Sequence, residues 1–382
     1  MADEVISFAR GAPSADILPA DAVREAAQRA LSDDWQRALS YGTGAGHAGL
    51  RDWVAERHGV EPSQVMITNG SLEAGAMLFQ HLVGAGDRVI VEQPSYDRTL
   101  LLLERIGAER IGVPLEADGI DVEELERATG QFPTHLVHVI PNFHNPAGCT
   151  LAEPKRRRIV ELAAEQGFWL FEDDPYRELP FEDDAPPTML SLDGADRVIH
   201  ASSFSKTVSP GVRVGYLVGP DDEIKSLAKW ANETYISPNM LAESVVWELC
   251  RSGALDENIA FVKGALRARR DALVDALGEQ LPEAEFVVPG GGYFLAREAA
   301  QVSVADIVRA VEEPLDSTQC GGRENCHDNH RCMTHDLWEE LNTTVYGFLE
   351  GVKLSHLVEK QRNKTVAVVR SPRPRDPQPV SA

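Results

Sequence analysis

Between residues 60 and 220 short β-branched runs alternate with amphipathic stretches, and no other feature limits the accessible folds so strongly. The runs QVMIT, RVIVEQ, ERIGVPL, HLVHVIP, FWLFEDD, RVIHASSF and RVGYLVG are separated by helix-like segments such as SLEAGAMLFQHLV and EPKRRRIVELAAEQ. Alternation of this kind builds a mostly parallel sheet with helices on both faces. Ligands of such sheets bind at the carboxyl ends of the strands, so the residues that close each run are the first candidates for chemistry. Asp256 to Leu281 has the pattern of one long polar helix, and the proline-rich end, RSPRPRDPQPVSA, reads as a disordered tail.

Composition removes several classes of function. A hydrophobic content of 43% in 382 residues supplies a substantial core and excludes a disordered chain. The net charge of −23 resides almost wholly before Gly291, where 47 acidic residues face 26 basic ones, against 13 and 11 from there on. An acidic body repels phosphate backbones, which argues against a sequence-independent grip on nucleic acid. The start, MADEVISFARGAPS, has neither a basic nor an apolar leader region, and no run of 18 apolar residues occurs, so a cytoplasmic protein with no membrane segment is expected. Three of the five cysteines fall within thirteen residues, which suits a metal site in a reducing compartment better than a disulfide framework.

One strand end is unusually rich. SSFSKTVSPGVRVGY carries Ser203, Ser205, Lys206 and Arg213: an amine able to form a Schiff base with a cofactor aldehyde, and hydroxyls with a cation for a phosphate. MITNGSLEAG is a strand, a glycine turn and a helix start, which aims the amides of Gly70, Ser71 and Leu72 toward an anion. FEDDPYREL closes a strand with Asp173 and Tyr176, PNFHNPAG offers Asn145, and Tyr96 in EQPSYDR follows a strand and can stack on a flat ring. Two other patterns are set aside. Gly44, Gly46 and Gly49 spell G-x-G-x-x-G with no strand before them, and Ser203 to Lys206 spell S-x-x-K without the companion motifs of serine β-lactamases.

On these motifs, residues 5 to 295 resemble a fold type I pyridoxal-phosphate-dependent aminotransferase of class I/II. The resemblance implies a three-layer α/β fold on a mostly parallel sheet, pyridoxal 5'-phosphate as cofactor, and transfer of an amino group between an amino acid and a 2-oxo acid. It makes Lys206 the Schiff-base lysine and proton shuttle, Asp173 the partner of the pyridine nitrogen, and Asn145 and Tyr176 the partners of the ring 3-hydroxyl. Ser203, Ser205, Arg213 and the Gly70, Ser71 and Leu72 turn become phosphate ligands, and Tyr96 the stacking aromatic. Tyr41, in LSYGTGAGHAGLRDWVA, resembles the tyrosine that reaches the phosphate of a neighbouring subunit, which implies a homodimer.

A second constellation follows. Cys320, Cys326, Cys332 and His335 are spaced C-x5-C-x5-C-x2-H, a soft ligand set suited to an iron-sulfur cluster or to zinc. PGGGYFLAREAAQVSVADIVRAVEEPLDSTQC and HDLWEELNTTVYGFLEGVKLSHLVEKQ resemble, over residues 288 to 363, the second half of an Rrf2-type iron-sulfur cluster regulator. That resemblance implies a [2Fe-2S] cluster on the four residues. Trp338, Leu341, Val345, Phe348 and Val352 recur at the steps of a dimerising helix, or of one buried helix face.

The expected organisation is an N-terminal arm with part of a small domain (1–40), a cofactor-binding large domain (41–285), an atypical, partly helical Rrf2-like segment (286–363) and a tail (364–382). The chain thus reads as a chimera joined at the glycine-rich motif. Each part lacks something. No R-L-S-F-like strand with a carboxylate-binding arginine follows residue 296, and the Rrf2-like part has no recognition helix, which argues against specific DNA binding. An iron-sulfur regulator fragment or fusion, and a cofactor-binding protein with little turnover, stand as alternatives to the aminotransferase.

Overall fold

The computed structural model describes residues 11, 13–182, 184–193, 196–280, 286–293, 296–297 and 335–351. Its centre is an eight-stranded sheet of β1 (Val65–Thr68), β2 (Arg88–Gln93), β3 (Glu109–Glu116), β4 (Gly119–Ile120), β5 (Leu136–Val139), β6 (Trp169–Asp173), β7 (Val198–Ser203) and β8 (Gly215–Val218), in the order β1-β8-β7-β6-β5-β2-β3-β4. The pairs from β7 through β6, β5 and β2 to β3 are parallel. β8 runs antiparallel to both β7 and β1. Two strands that each oppose β8 are parallel to one another, so β1 and β7 end at the same edge.

The period of two along each strand divides the core. Val89, Val91, Phe171, Ile199 and Ala201 join residues of α4 (Ser71–Leu82), α5 (Asp97–Arg105) and α9 (Asp221–Tyr235), while Ile90, Val137, Leu170 and Val198 join α6 (Val122–Gln131), α7 (Glu153–Gln166) and α8 (Met189–Leu192). A third cluster packs Val65 and Ile67 against α1 (Ala20–Asp33), α3 (Ala48–His58) and α10 (Met240–Arg251). Two further helices in this unit are α2 (Trp35–Ala38) and α11 (Ala254–Gln280), the long helix expected from the polar pattern. Helix α12 (His335–Gly351) falls in the second compact unit and spans most of the expected heptad positions. Among the described residues no helix is long and apolar enough to cross a membrane.

Helix ends follow local chemistry. Asp121 accepts a hydrogen bond from the Glu124 amide at 3.0 Å to cap α6, and α7 stops at Gly167 with φ of 79°. The glycines of the G-x-G-x-x-G pattern serve packing. A Cβ at Gly44 would stand 2.0 Å from the Ala228 carbonyl oxygen on α9, and one at Gly49 would stand 2.5 Å from the Trp247 indole on α10.

Arg156 is wholly buried on α7 and ties the sheet edge together. It donates to the carbonyls of Leu151 at 2.8 Å, Pro141 at 3.0 Å and Pro187 at 3.2 Å, and to Asn142 Oδ1 at 2.7 Å. Asn142 in turn donates to Asp174 Oδ2 at 2.7 Å. Arg156→Met strands these acceptors beside buried carboxylates, and should destabilise the fold by about 3 to 5 kcal/mol. Urea unfolding checks this as a lower midpoint at unchanged slope.

Candidate active site

The strands deliver their closing residues to one edge. β7 ends at Ser203 and leads into the turn that holds Lys206. β6 ends at Asp173, β5 leads to the Asn142–Cys149 turn, and β1 leads through Asn69 and Gly70 into α4.

The first cluster is cationic and rich in donors. The Ser203 hydroxyl lies 2.9 Å from that of Ser205 and accepts from the Ser205 amide at 3.1 Å. Arg213 donates to Ser205 Oγ at 3.3 Å and to the Asn69 carbonyl at 3.2 Å. Asn69 is fixed by Glu73, which accepts from its amide at 2.7 Å and its side chain at 3.0 Å. Gly70 has φ of 91°, and a Cβ there would stand 2.5 Å from the Arg213 guanidinium. A Cβ at Gly215 would stand 2.7 Å from the backbone of Gly70 and Ser71. Glycine at both positions therefore lets the start of α4 approach Arg213, and the unsatisfied first-turn amides of a helix add to the positive field.

Lys206 stands beside this cup. Its Nζ donates to the Gly11 carbonyl at 2.6 Å and lies 5.4 Å from the Tyr176 ring and 5.5 Å from the Tyr293 ring. Burial first, and the Arg213 charge second, pull its pKa down to about 8. An ordinary lysine is neutral in fewer than ~0.1% of copies at pH 7, so this amine is far readier to act as a nucleophile or base. The Tyr293 hydroxyl donates to the Lys206 carbonyl at 3.1 Å.

Asp173 has one carboxylate oxygen, Oδ1, that is buried and without a hydrogen-bond partner among the described residues. Such an atom is costly unless a donor completes it. Tyr176 is 4% exposed and hydrogen-bonded with Asn145, and burial, reinforced by the Asp173 charge, holds its phenol well above the usual range. Burial also raises the Tyr96 phenol, with Asp97 and then Asp173 adding to it. The turn carrying Asn145 is braced from behind. His144 Nδ1 accepts from the Ala147 amide at 3.2 Å, and its Nε2 stands 3.1 Å from buried Glu92 Oε2 as a close contact rather than a hydrogen bond. Glu92 accepts the Ile140 amide at 2.8 Å as well.

Thus Lys206, Asp173, Tyr176, Asn145, Tyr96, Ser203, Ser205, Arg213 and the Gly70, Ser71 and Leu72 turn all belong to strand ends, loops and helix starts at one sheet edge. Tyr41 is 83% exposed on the loop after α2. Cys320, Cys326 and Cys332 lie outside the described residues, as does Val352, and His335 is the first residue of α12. Tyr293, Gly11 and the Glu92–His144 brace are additions that motif reading did not supply. Tyr293 was within reach, since it stands in the quoted PGGGYF; Gly11 meets Lys206 across 195 residues of sequence.

Glu172, Asp174 and His200 form a separate buried group whose ligand-type atoms lie within 4.8 Å of one another. Glu172 already accepts from the Met189 and Leu190 amides at 2.8 and 3.2 Å and from His200 Nδ1 at 3.0 Å. With Asp174 held by Asn142, the group acts as a structural brace behind Asp173.

The edge suits a flat, phosphorylated pyridine aldehyde. The buried Asp173 oxygen lacks a donor such as a pyridinium N–H, the Gly70 and Gly215 cradle leaves no room for side chains beside Arg213, and Lys206 offers an amine of lowered pKa.

Comparison with known proteins agrees. The family description "Aminotransferase class I and II" matches residues 3–342. Aromatic-amino-acid aminotransferase 1 of Thermococcus litoralis is 31% identical over 304 residues, covering 76% of this chain and 73% of the relative. The 2-aminoadipate transaminase of Thermus thermophilus is 32% identical over 315 residues, covering 81% and 79%. Among solved structures, the kynurenine aminotransferase of Pyrococcus horikoshii, in complex with PMP, aligns with a TM-score of 0.72 at 31% identity over 76% of this chain and 75% of that one. The chain belongs to the class I and II aminotransferase family, and its chemistry is amino-group transfer. The family match also corrects the boundary drawn near residue 295. It continues through residue 342, over residues 288 to 342 of the segment that resembles an Rrf2-type regulator and across all three clustered cysteines.

The lowered pKa of Lys206 makes a testable pH dependence. Its protonated form is unreactive, so the rate of reductive methylation at Lys206 in the cofactor-free protein should rise through a midpoint near pH 8. Arg213→Gln removes a repelling positive charge and should move that midpoint upward. Peptide mapping by mass spectrometry across a pH series measures both.

Proposed function

We propose that this chain is a pyridoxal-phosphate-dependent aminotransferase that moves an amino group between an amino acid and a 2-oxo acid at the edge closed by β1, β5, β6 and β7. The observation that carries this reading is the buried, unpartnered Asp173 oxygen at the same strand edge as an amine of lowered pKa. When bound, the cofactor supplies an aldehyde for covalent capture of the amino group and a conjugated ring that accepts negative charge.

The chain's own residues do the rest. Ser203, Ser205, Arg213 and the amides of the Gly70, Ser71 and Leu72 turn hold the phosphate. Asp173 keeps a proton on the pyridine nitrogen, Asn145 and Tyr176 address the ring hydroxyl, and Tyr96 covers a ring face. Lys206 releases its amine and then moves a proton at Nζ, for which a pKa near 8 is well matched to neutral solution. Tyr41 is 83% exposed, and Trp35 and Leu39 beside it are 54% and 63% exposed, which supports a homodimer in which this loop meets a second copy.

The test is a steady-state assay with a 2-oxo acid acceptor. Aromatic amino acids and 2-aminoadipate, named in the relatives, are the first donors to try. Lys206→Ala should abolish turnover. Asp173→Asn should lower turnover far more than cofactor occupancy, because the carboxylate acts on charge that develops during reaction while the phosphate cup supplies most of the holding energy. With no R-L-S-F-like sequence motif after residue 296, we expect the substrate carboxylate to be poorly aimed and turnover to fall below about 1 per second. A faster rate would show that another residue clamps it.

A second, separate proposal rests on thiol chemistry alone. Cys320, Cys326, Cys332 and His335 hold a [2Fe-2S] cluster, or zinc after expression in air. Anaerobic reconstitution with iron and sulfide should then give stoichiometric iron that Cys326→Ser lowers, and zinc alone would decide for the alternative.

A further inference from the structure

His138 lies on β5, one strand from Asp173, and is wholly buried. Both its ring nitrogens lack a hydrogen-bond partner among the described residues. Its ring packs between aromatic neighbours, with centroids 5.3 Å from Phe171 and 6.1 Å from Phe79. An imidazole placed there only to fill space would be inferior to a phenyl ring, since burying two unpaired polar atoms has a cost that phenylalanine avoids. Among the described residues it faces the aspartate: Nε2 lies 3.7 Å from Asp173 Oδ2, while Asp173 Oδ1 has no hydrogen-bond partner. The histidines His144 and His200 each have one ring nitrogen engaged, Nδ1 with the Ala147 amide and with Glu172 respectively, and only Nε2 without a hydrogen-bond partner among the described residues.

We infer that His138 is a positioning residue for Asp173: as the Nε2–H tautomer it presents its N–H to Oδ2, holds the carboxylate turned so that Oδ1 faces the pyridine nitrogen, and thereby sustains protonation of that nitrogen. The inference rests on the role proposed for Asp173, and its test separates the two. The distance is longer than a hydrogen bond, so the effect is electrostatic orientation of a charge in apolar surroundings, where a facing dipole acts with little screening. Nothing in His138 touches substrate.

The experiment uses the full chain loaded with pyridoxal phosphate labelled with 15N in the ring. His138→Phe retains the aromatic packing and removes the N–H. It should leave cofactor stoichiometry and thermal midpoint close to wild type, move the ring 15N resonance toward that of an unprotonated pyridine, and lower kcat about tenfold with little change in KM. His138→Gln, which restores an N–H donor, should recover part of both. An unchanged 15N resonance in His138→Phe overturns the inference, and an unprotonated ring already in the wild-type protein overturns the role of Asp173 itself. Should His138→Phe fail to fold, the cofactor-free wild-type protein decides. Its His138 ring should show a protonated Nε2 whose 15N shift changes in Asp173→Asn, and a shift indifferent to that substitution overturns the inference equally.

Discussion

The site depends on strand β8 running backward between β7 and β1. Because both neighbours oppose it, they point the same way, and the turn after β1 reaches the same edge as the turn after β7. The contact that closes this arrangement is backbone on backbone: Gly215 at the start of β8 leaves no space for a Cβ against Gly70 and Ser71. Through that approach Arg213 reaches the Asn69 carbonyl and Ser205 together, and a helix start, a guanidinium and two hydroxyls come into one cluster. A side chain at either glycine would push that cluster apart before it altered any charge.

Electrostatics in the buried layer then prepares the reacting groups. Burial first, and the Arg213 charge second, lowers the Lys206 pKa, so the guanidinium proposed to hold a phosphate also favours the free amine. Behind the edge, each charged side chain is secured by the next layer: Glu92 by His144 and the Ile140 amide, Asp174 by Asn142 and Arg156, Glu172 by His200 and two amides. Of the four buried carboxylate oxygens without a hydrogen-bond partner among the described residues, on Asp173, Asp174, Asp221 and Glu243, that of Asp173 closes β6 at the edge where Lys206 stands. A buried oxygen of this kind is costly unless a donor completes it, and at that edge a ligand can supply one.

Strand ends were legible in the sequence because the alternation of runs and helices is strong and because phosphate and amine chemistry use distinctive residues. Lys206, Asp173, Arg213 and the Gly70 turn stand out on those grounds, and they fall at one edge once the strands are parallel. The braces were not legible. His144 and Glu92 lie 52 positions apart in sequence, Gly11 and Lys206 lie 195 apart, and their contacts follow from strand order, which local pattern does not specify. Nor does periodicity explain a histidine in an apolar strand such as HLVHVIP, since one face of a buried strand reads like the other. At the C-terminal end the difficulty was different. The glycine-rich motif drew the boundary near residue 295, whereas the family match as a whole runs to residue 342.

The central claim is that Lys206 is the amine that captures the cofactor. Mixing the purified protein with pyridoxal phosphate, reducing with borohydride and mapping the tryptic peptides tests it directly. The account predicts one phosphopyridoxyl group per chain on Lys206, and its loss in Lys206→Ala. A label of equal yield on another lysine, or none on Lys206, would contradict it.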